Sequence, residues 1–150
     1  MRQGKTHDKD KMVLRALEAE IEPGDFGSPM DPSDAQIDIC MYDANGYFLG
    51  GGLTPGDANW KAIGSGGFSY RDPAQLAFGV KQAKFKVTGI RTGLILAKGK
   101  GSRLRLPEAP LTAPIVAQAK NDDTGACWQI EFEAEDIKRN DGERFLAQLK

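Results

Sequence analysis

One histidine, His7, and two cysteines, Cys40 and Cys127, are the chain's whole supply of imidazole and thiol. A Ser–His–Asp or Cys–His system would have to recruit His7, which sits in a polar terminus with no nucleophile beside it. The cysteines and His7 do not form a spaced metal-ligand cluster either. Carboxylates are more plentiful. Asp31, Asp34, Asp38 and Asp43 fall in one stretch, and Asp122 and Asp123 form a second acidic turn. Such oxygens suit calcium, but neither stretch has EF-hand spacing. Asp31 and Asp34 are the calcium candidates, set against turn capping, which aspartate favours. Glu131, Glu133 and Glu135 offer paired carboxylates of the kind glycoside hydrolysis uses. Their alternation also suits the wet face of a half-buried sheet. The run Gly99-Lys100-Gly101-Ser102 lacks Walker spacing and reads as a turn. No catalytic set assembles, so the expectation is a protein that is not an enzyme. No cofactor is expected beyond a structural calcium ion.

The residues that could bind are of two kinds. Lys81, Lys84, Lys86, Lys98, Lys100, Arg103 and Arg105 could gather on one surface and meet anionic glycans, lipid headgroups or a partner protein. The competing reading is that lysines on exposed strand edges block edge-to-edge aggregation. Trp60, Tyr70 and Trp128 could stack on sugars or anchor a core. Trp128 alternates in phase with Ile130 and Phe132, which favours the core. Trp60 and Tyr70 are therefore the ligand-binding candidates.

These residues must be positioned by short strands. Ile37, Ile39 and Met41 alternate, as do Trp128, Ile130 and Phe132. Period two then puts Cys40 and Cys127 on the faces opposite those apolar sets. If the two strands are adjacent, a Cys40–Cys127 disulfide is geometrically reasonable and implies an oxidising compartment; otherwise both are free thiols. Strands are expected over residues 35–42, 47–49, 68–71, 82–88, 93–98, 103–106, 113–120, 126–133 and 144–150. Asn45-Gly46, Thr92-Gly93 and the run 122–125 supply turn signals. Three prolines between Leu106 and Pro114 confine that piece to an edge or to a crossing between sheets. Residues 11–22 are ambiguous. Leu14, Leu17 and Ile21 have helical spacing in helix-favouring company, while Met12, Leu14 and Ala16 alternate. Local propensity favours helix slightly.

Composition agrees with an all-β domain. The 150 residues suit one domain, with 18 glycines concentrated between apolar runs. The formal charge of −1 argues against nucleic acid as a partner, a local patch aside. No run approaches the length of a membrane span. The start has no apolar stretch of the signal-peptide kind, so an export signal is absent from this chain. About eight or nine short strands predict two packed antiparallel sheets, a β-sandwich or jelly-roll-like domain over residues 11–150. Residues 1–10 are expected to form a flexible segment.

Several motifs run through the chain in a fixed order. They are Gly27-Ser28-Pro29-Met30-Asp31-Pro32, the strand 37–43, Trp60-Lys61, Tyr70-Arg71-Asp72-Pro73, the Lys- and Gly-punctuated stretch 81–100, the proline segment 106–114 and Cys127-Trp128. In that order, over residues 11–150, the chain resembles an uncharacterised bacterial β-rich module of predicted exported proteins. That module often lies near the C-terminal end of longer chains. The resemblance implies a strand rather than a helix at residues 11–20, makes an extracellular, periplasmic or cell-envelope location more plausible, and carries no catalytic residues. Cys40 and the Met1-led beginning depart from the pattern. The expected role is a non-catalytic structural or protein-interaction module of the exterior or envelope, part of a larger assembly. A carbohydrate-binding module is the alternative.

Overall fold

The computed structural model describes every residue except Lys5, Pro23, Ala35, Asp57, Ala109 and Lys150, and the side chains of Glu18 and Ala19. The expected strand limits at Ala35 and Lys150 fall outside the described residues. Eleven strands are present among the described residues, more than expected. They are β1 (Lys11–Glu20), β2 (Ile37–Asp43), β3 (Gly46–Leu53), β4 (Trp60–Ile63), β5 (Gly67–Arg71), β6 (Val80–Gly89), β7 (Thr92–Lys100), β8 (Ile115–Asn121), β9 (Cys127–Phe132), β10 (Ile137–Asp141) and β11 (Arg144–Ala147). A five-stranded antiparallel sheet, in the order β1-β7-β6-β5-β4, packs against a four-stranded one, β3-β2-β8-β9. Strands β10 and β11 form a separate hairpin.

β1 is a strand despite its helix-forming composition. Met12 and Leu14 turn inward and are buried, while Lys11, Val13, Arg15 and Leu17 face out. Pairing along β7, from Lys11 opposite Lys100 to Glu20 opposite Thr92, outweighs a preference of a few tenths of a kcal/mol per residue. Residues 103–106, expected as a strand, instead form a short 3-10 turn, Ser102–Leu104, followed by Arg105 in the left-handed region. Leu104 and Leu106 are both buried, and the turn lets both point inward. The proline segment crosses from the sheet of β7 to that of β8. Described residues of the N-terminal segment make contacts with the sheets and the C-terminal hairpin. Arg2 bridges Lys11 and Arg144, and the Met1 ammonium donates to the Phe145 carbonyl at 2.7 Å.

The core has an aromatic spine. Trp128 of β9 lies 5.0 Å from Phe26, and Phe26 lies 5.5 Å from Phe85 of β6. Trp60 of β4 continues it, 6.0 Å from Phe85 and 5.2 Å from Tyr70 of β5. Phe26 comes from the breaker-rich loop after β1 and is fully buried between the sheets. Asn121, also buried, holds it there. The Asn121 amide donates to the Phe26 carbonyl at 2.9 Å, and its oxygen accepts from Asp123 N at 2.9 Å and Thr124 N at 3.2 Å. Next to Phe26, Gly27 has φ 61°, and a Cβ there would stand 2.9 Å from Asn121 Nδ2.

Removing this clamp leaves buried amide and carbonyl groups unsatisfied. Asn121→Ala is expected to cost about 2–3 kcal/mol in urea unfolding, and Phe26→Ala about 3–5 kcal/mol. Asn121→Asp sets a carboxylate against the Phe26 carbonyl, so its folded-state pKa rises. Stability of that variant is then greatest below the ordinary aspartate range and falls as pH rises through the raised value. Unfolding at acid and neutral pH checks the sign; a variant no less stable at pH 7 than near pH 4, relative to the parent chain, would contradict it.

Candidate binding face

The outward faces of the two sheets differ in chemistry. On the five-stranded sheet, register assembles the outward positions, some exposed and some half-buried, into rows. Lys11 stands opposite Lys100 at one end. The next row runs Val13, Lys98, Gln82, Arg71. The third runs Arg15, Leu96, Lys84, Ser69, Lys61. The fourth holds Leu17, Leu94, Lys86 and, through the β4–β5 pair, Gly67 and Ile63. No Asp or Glu occupies these positions. Carboxylates lie at the two ends instead: Asp8 is close enough to Lys100 to feel its charge, and at the other end Glu22, with Glu20 opposite Thr92, favours the charged form of Arg91. None of the cations in these rows takes part in a salt bridge among the described residues.

Neighbouring strands are about 4.8 Å apart and alternate residues about 6.8 Å, so these charges form a grid at spacings below the Debye length. Such a field attracts anions and strains the isolated chain by self-repulsion. Lys84, Lys86 and Lys98 lie on β6 and β7, in the interior of the sheet, while the edges are β1 and β4. Edge protection therefore does not account for them. Lys100 joins the face, Lys81 flanks it at a bulge, and Arg103 and Arg105 leave it for a separate loop. Arg15, Lys61, Arg71 and Lys11 complete the face. They come from strands far apart in sequence, so only strand order could have revealed them.

The interleaved apolar groups matter as well. Val13 is 60% exposed and Leu17 59%. Beyond them, a groove of about 620 Å³ runs past Ile130 and Leu146 toward the C-terminal hairpin. The face carries no aromatic side chain in its rows.

The other candidates are placed differently. Trp60 and Tyr70 are 4% and 2% exposed and meet edge-on inside the core. The Trp60 indole donates to the Thr54 carbonyl at 2.9 Å. Neither ring offers a face to a sugar, because both stand on inward positions of the β4–β5 pair. Among the described residues the exposed aromatic is Tyr47 on the four-stranded sheet, in edge contact with half-buried Tyr42 at 5.6 Å. Tyr42 shares the parity of Cys40, and that is the signal that places it outward.

Cys40 and Cys127 do face outward, but β8 lies between their strands. Cys40 pairs with Gln118 and Cys127 with Lys120, so they are two strand spacings apart and offset along the sheet. That is about 9.6 Å or more, beyond the reach of a disulfide. Both are free thiols. Partial burial pushes the Cys40 thiol above its usual range.

Asp31 accepts from Ser33, whose hydrogen bonds hold its carboxyl below the ordinary range. Asp34 accepts from Ser28 N and meets Asp123, whose carboxyl it raises by sharing a hydrogen bond and a like charge. No cluster of three or more metal-ligating side chains forms among the described residues. His7 pairs with buried Asp10 at 3.0 Å. Glu131, Glu133 and Glu135 are exposed. Among the described residues, no helix is long and apolar enough to cross a membrane.

No family model, no curated protein and no solved structure matches this chain.

Two outcomes follow from this geometry. Without reductant both thiols should titrate, Cys127 fast and Cys40 slowly; a single bonded pair in the non-reduced mass would refute the placement of β8. Raising salt from about 10 to 500 mM should raise Tm by roughly 2 °C or more as the grid is screened. Lys84→Gln should reproduce part of that rise at low salt, and a melting curve indifferent to both would show that the charges do not repel.

Proposed function

We propose that this chain is a non-catalytic interaction module that holds an acidic protein partner against the outer face of its five-stranded sheet. The observation that carries this reading is the grid of Lys and Arg across β1, β7, β6, β5 and β4 with no carboxylate in its rows. A net charge of −1 means the compensating acids lie elsewhere on the molecule. The face therefore has a direction that the total conceals.

The choice of a protein partner rests on what is mixed with the charge. Val13, Leu17, Leu94, Leu96 and Ile63 stand between the cations. A folded acidic surface with an apolar centre matches both components, as interfaces commonly do. Single-stranded nucleic acid would want aromatic platforms for its bases, and the rows contain none. A polyanionic glycan would leave the leucines uncovered. On the resemblance described above, the module's place is the exterior or the envelope, as part of a larger assembly.

The test uses defined probes. A fluorescent peptide of alternating Glu and Leu, polyglutamate, heparin, duplex DNA and vesicles of anionic lipid are titrated at about 50 and 200 mM salt. The Glu/Leu peptide should bind most tightly, weaken with salt, and lose at least tenfold in Lys84→Glu/Lys98→Glu. Tighter binding of heparin, DNA or vesicles would overturn the protein-partner reading. Peptide affinity unchanged by the charge reversal would remove the face from it altogether.

A further inference from the structure

We infer that the arginine-bearing cleft on the free edge of β3 is a second, small-molecule site, which takes a small organic anion with a flat apolar body. The cleft measures about 470 Å³. Phe48, Tyr47, Leu76 and Phe78 supply its apolar and aromatic walls, and Arg103 and Arg105 its charge. No carboxylate lines it. Neither arginine takes part in a salt bridge or side-chain hydrogen bond among the described residues. It is separate from the cationic sheet face, and its argument does not depend on that reading.

Its second distinguishing feature is backbone strain. Among the described residues, non-glycine positions with positive φ are Gln75 at 58°, Phe78 at 36°, Arg91 at 58° and Arg105 at 46°. Arg91 sits in the β6–β7 hairpin turn. The other three belong to the two loops that build the cleft. Left-handed backbone at such residues is unfavourable and persists only where the surroundings enforce it, commonly at ligand sites. The enforcement is visible here. Buried Asp72 accepts from Gln75 N at 2.9 Å, and from Leu76 N and Ala77 N, which fixes the first loop. Gly79 then lets that loop touch the second, since a Cβ there would come 2.6 Å from Leu104 N. The Phe78 ring closes over Gly51, where an added Cβ would lie 2.5 Å from the ring. Strained loops thus hold an aromatic floor beside two guanidinium groups that have no acidic partner among the described residues.

Guanidinium groups recognise carboxylate, phosphate or sulfate by paired donors, and the flat apolar wall recognises what is attached to it. An aryl phosphate or aryl carboxylate combines both. The size is at the small-ligand end of pocket volumes.

The test is titration of the full ¹⁵N-labelled chain with phenyl phosphate and, in parallel, benzoate, inorganic phosphate and benzyl alcohol. Phenyl phosphate or benzoate should give saturable shifts at Phe78, Arg103 and Arg105 at about millimolar concentration or below. Inorganic phosphate and benzyl alcohol should bind at least tenfold more weakly. Arg103→Gln/Arg105→Gly should weaken binding at least tenfold while leaving Tm unchanged or higher, because glycine relaxes the left-handed position. Leu76→Glu, at a site 65% exposed, should do the same by placing a carboxylate in the cleft. No saturable shift by about 10 mM would overturn the inference. So would equal binding of inorganic phosphate, or shifts that appear at Lys84 and Lys98 instead of the cleft.

Discussion

Phe26 is the side chain that everything else leans on. It belongs to neither sheet, yet it touches Trp128 on one and Phe85 on the other. A sandwich of two sheets must fill a space about 10 Å thick between backbones, and strand side chains alone leave gaps where the sheets splay. Here the loop after β1 supplies the filler, and Asn121 anchors it by its carbonyl. From Phe26 the packing passes through Phe85 to Trp60 and Tyr70, which sets β4 and β5 in place. The cationic rows sit on the reverse side of those same strands. Burial of one face therefore fixes the spacing of charges on the other.

Much of this was legible. Alternation in β2 and β9 placed Ile37, Ile39, Met41, Trp128 and Phe132 inward and both cysteines outward, as the structure has them. The Asn45-Gly46 turn was equally readable, and crossing between sheets was one of the two roles that the three prolines left open. What was not legible depends on strand order. A disulfide between Cys40 and Cys127 requires β2 and β9 to be neighbours, and β8 separates them. The lysines of β6 and β7 look like edge guards until the sheet puts β1 and β4 at its edges. Trp60 follows a loop and so looks exposed, but it begins β4 on an inward position. Local pattern gives parity within a strand and is silent about its neighbours.

Charge shows the same limit. Summed over the chain, Lys and Arg nearly cancel Asp and Glu. In the fold they separate. The acids concentrate in turns and loops, where Asp31, Asp34, Asp43, Asp72 and Asp123 satisfy or abut backbone groups. The bases spread along strands that face water. Capping thus keeps negative charge out of the rows of the open sheet surface, with Asp8 beside Lys100 at their end.

β1 carries one last consequence, and it concerns time rather than structure. Its partner, β7, is encoded far downstream, with Glu20 opposite Thr92 and Lys11 opposite Lys100. On a ribosome the first of these residues emerges long before the second exists. A strand-prone stretch would spend that interval as an exposed, sticky ribbon. Residues 11–20 are instead rich in Leu, Ala and Glu, which a lone segment prefers to coil into a transient helix. A segment this short is at best marginally helical by itself, so its composition only biases the waiting backbone away from the extended form that pairs indiscriminately. The strand that begins the sheet in sequence has as its partner the strand that ends it, β7.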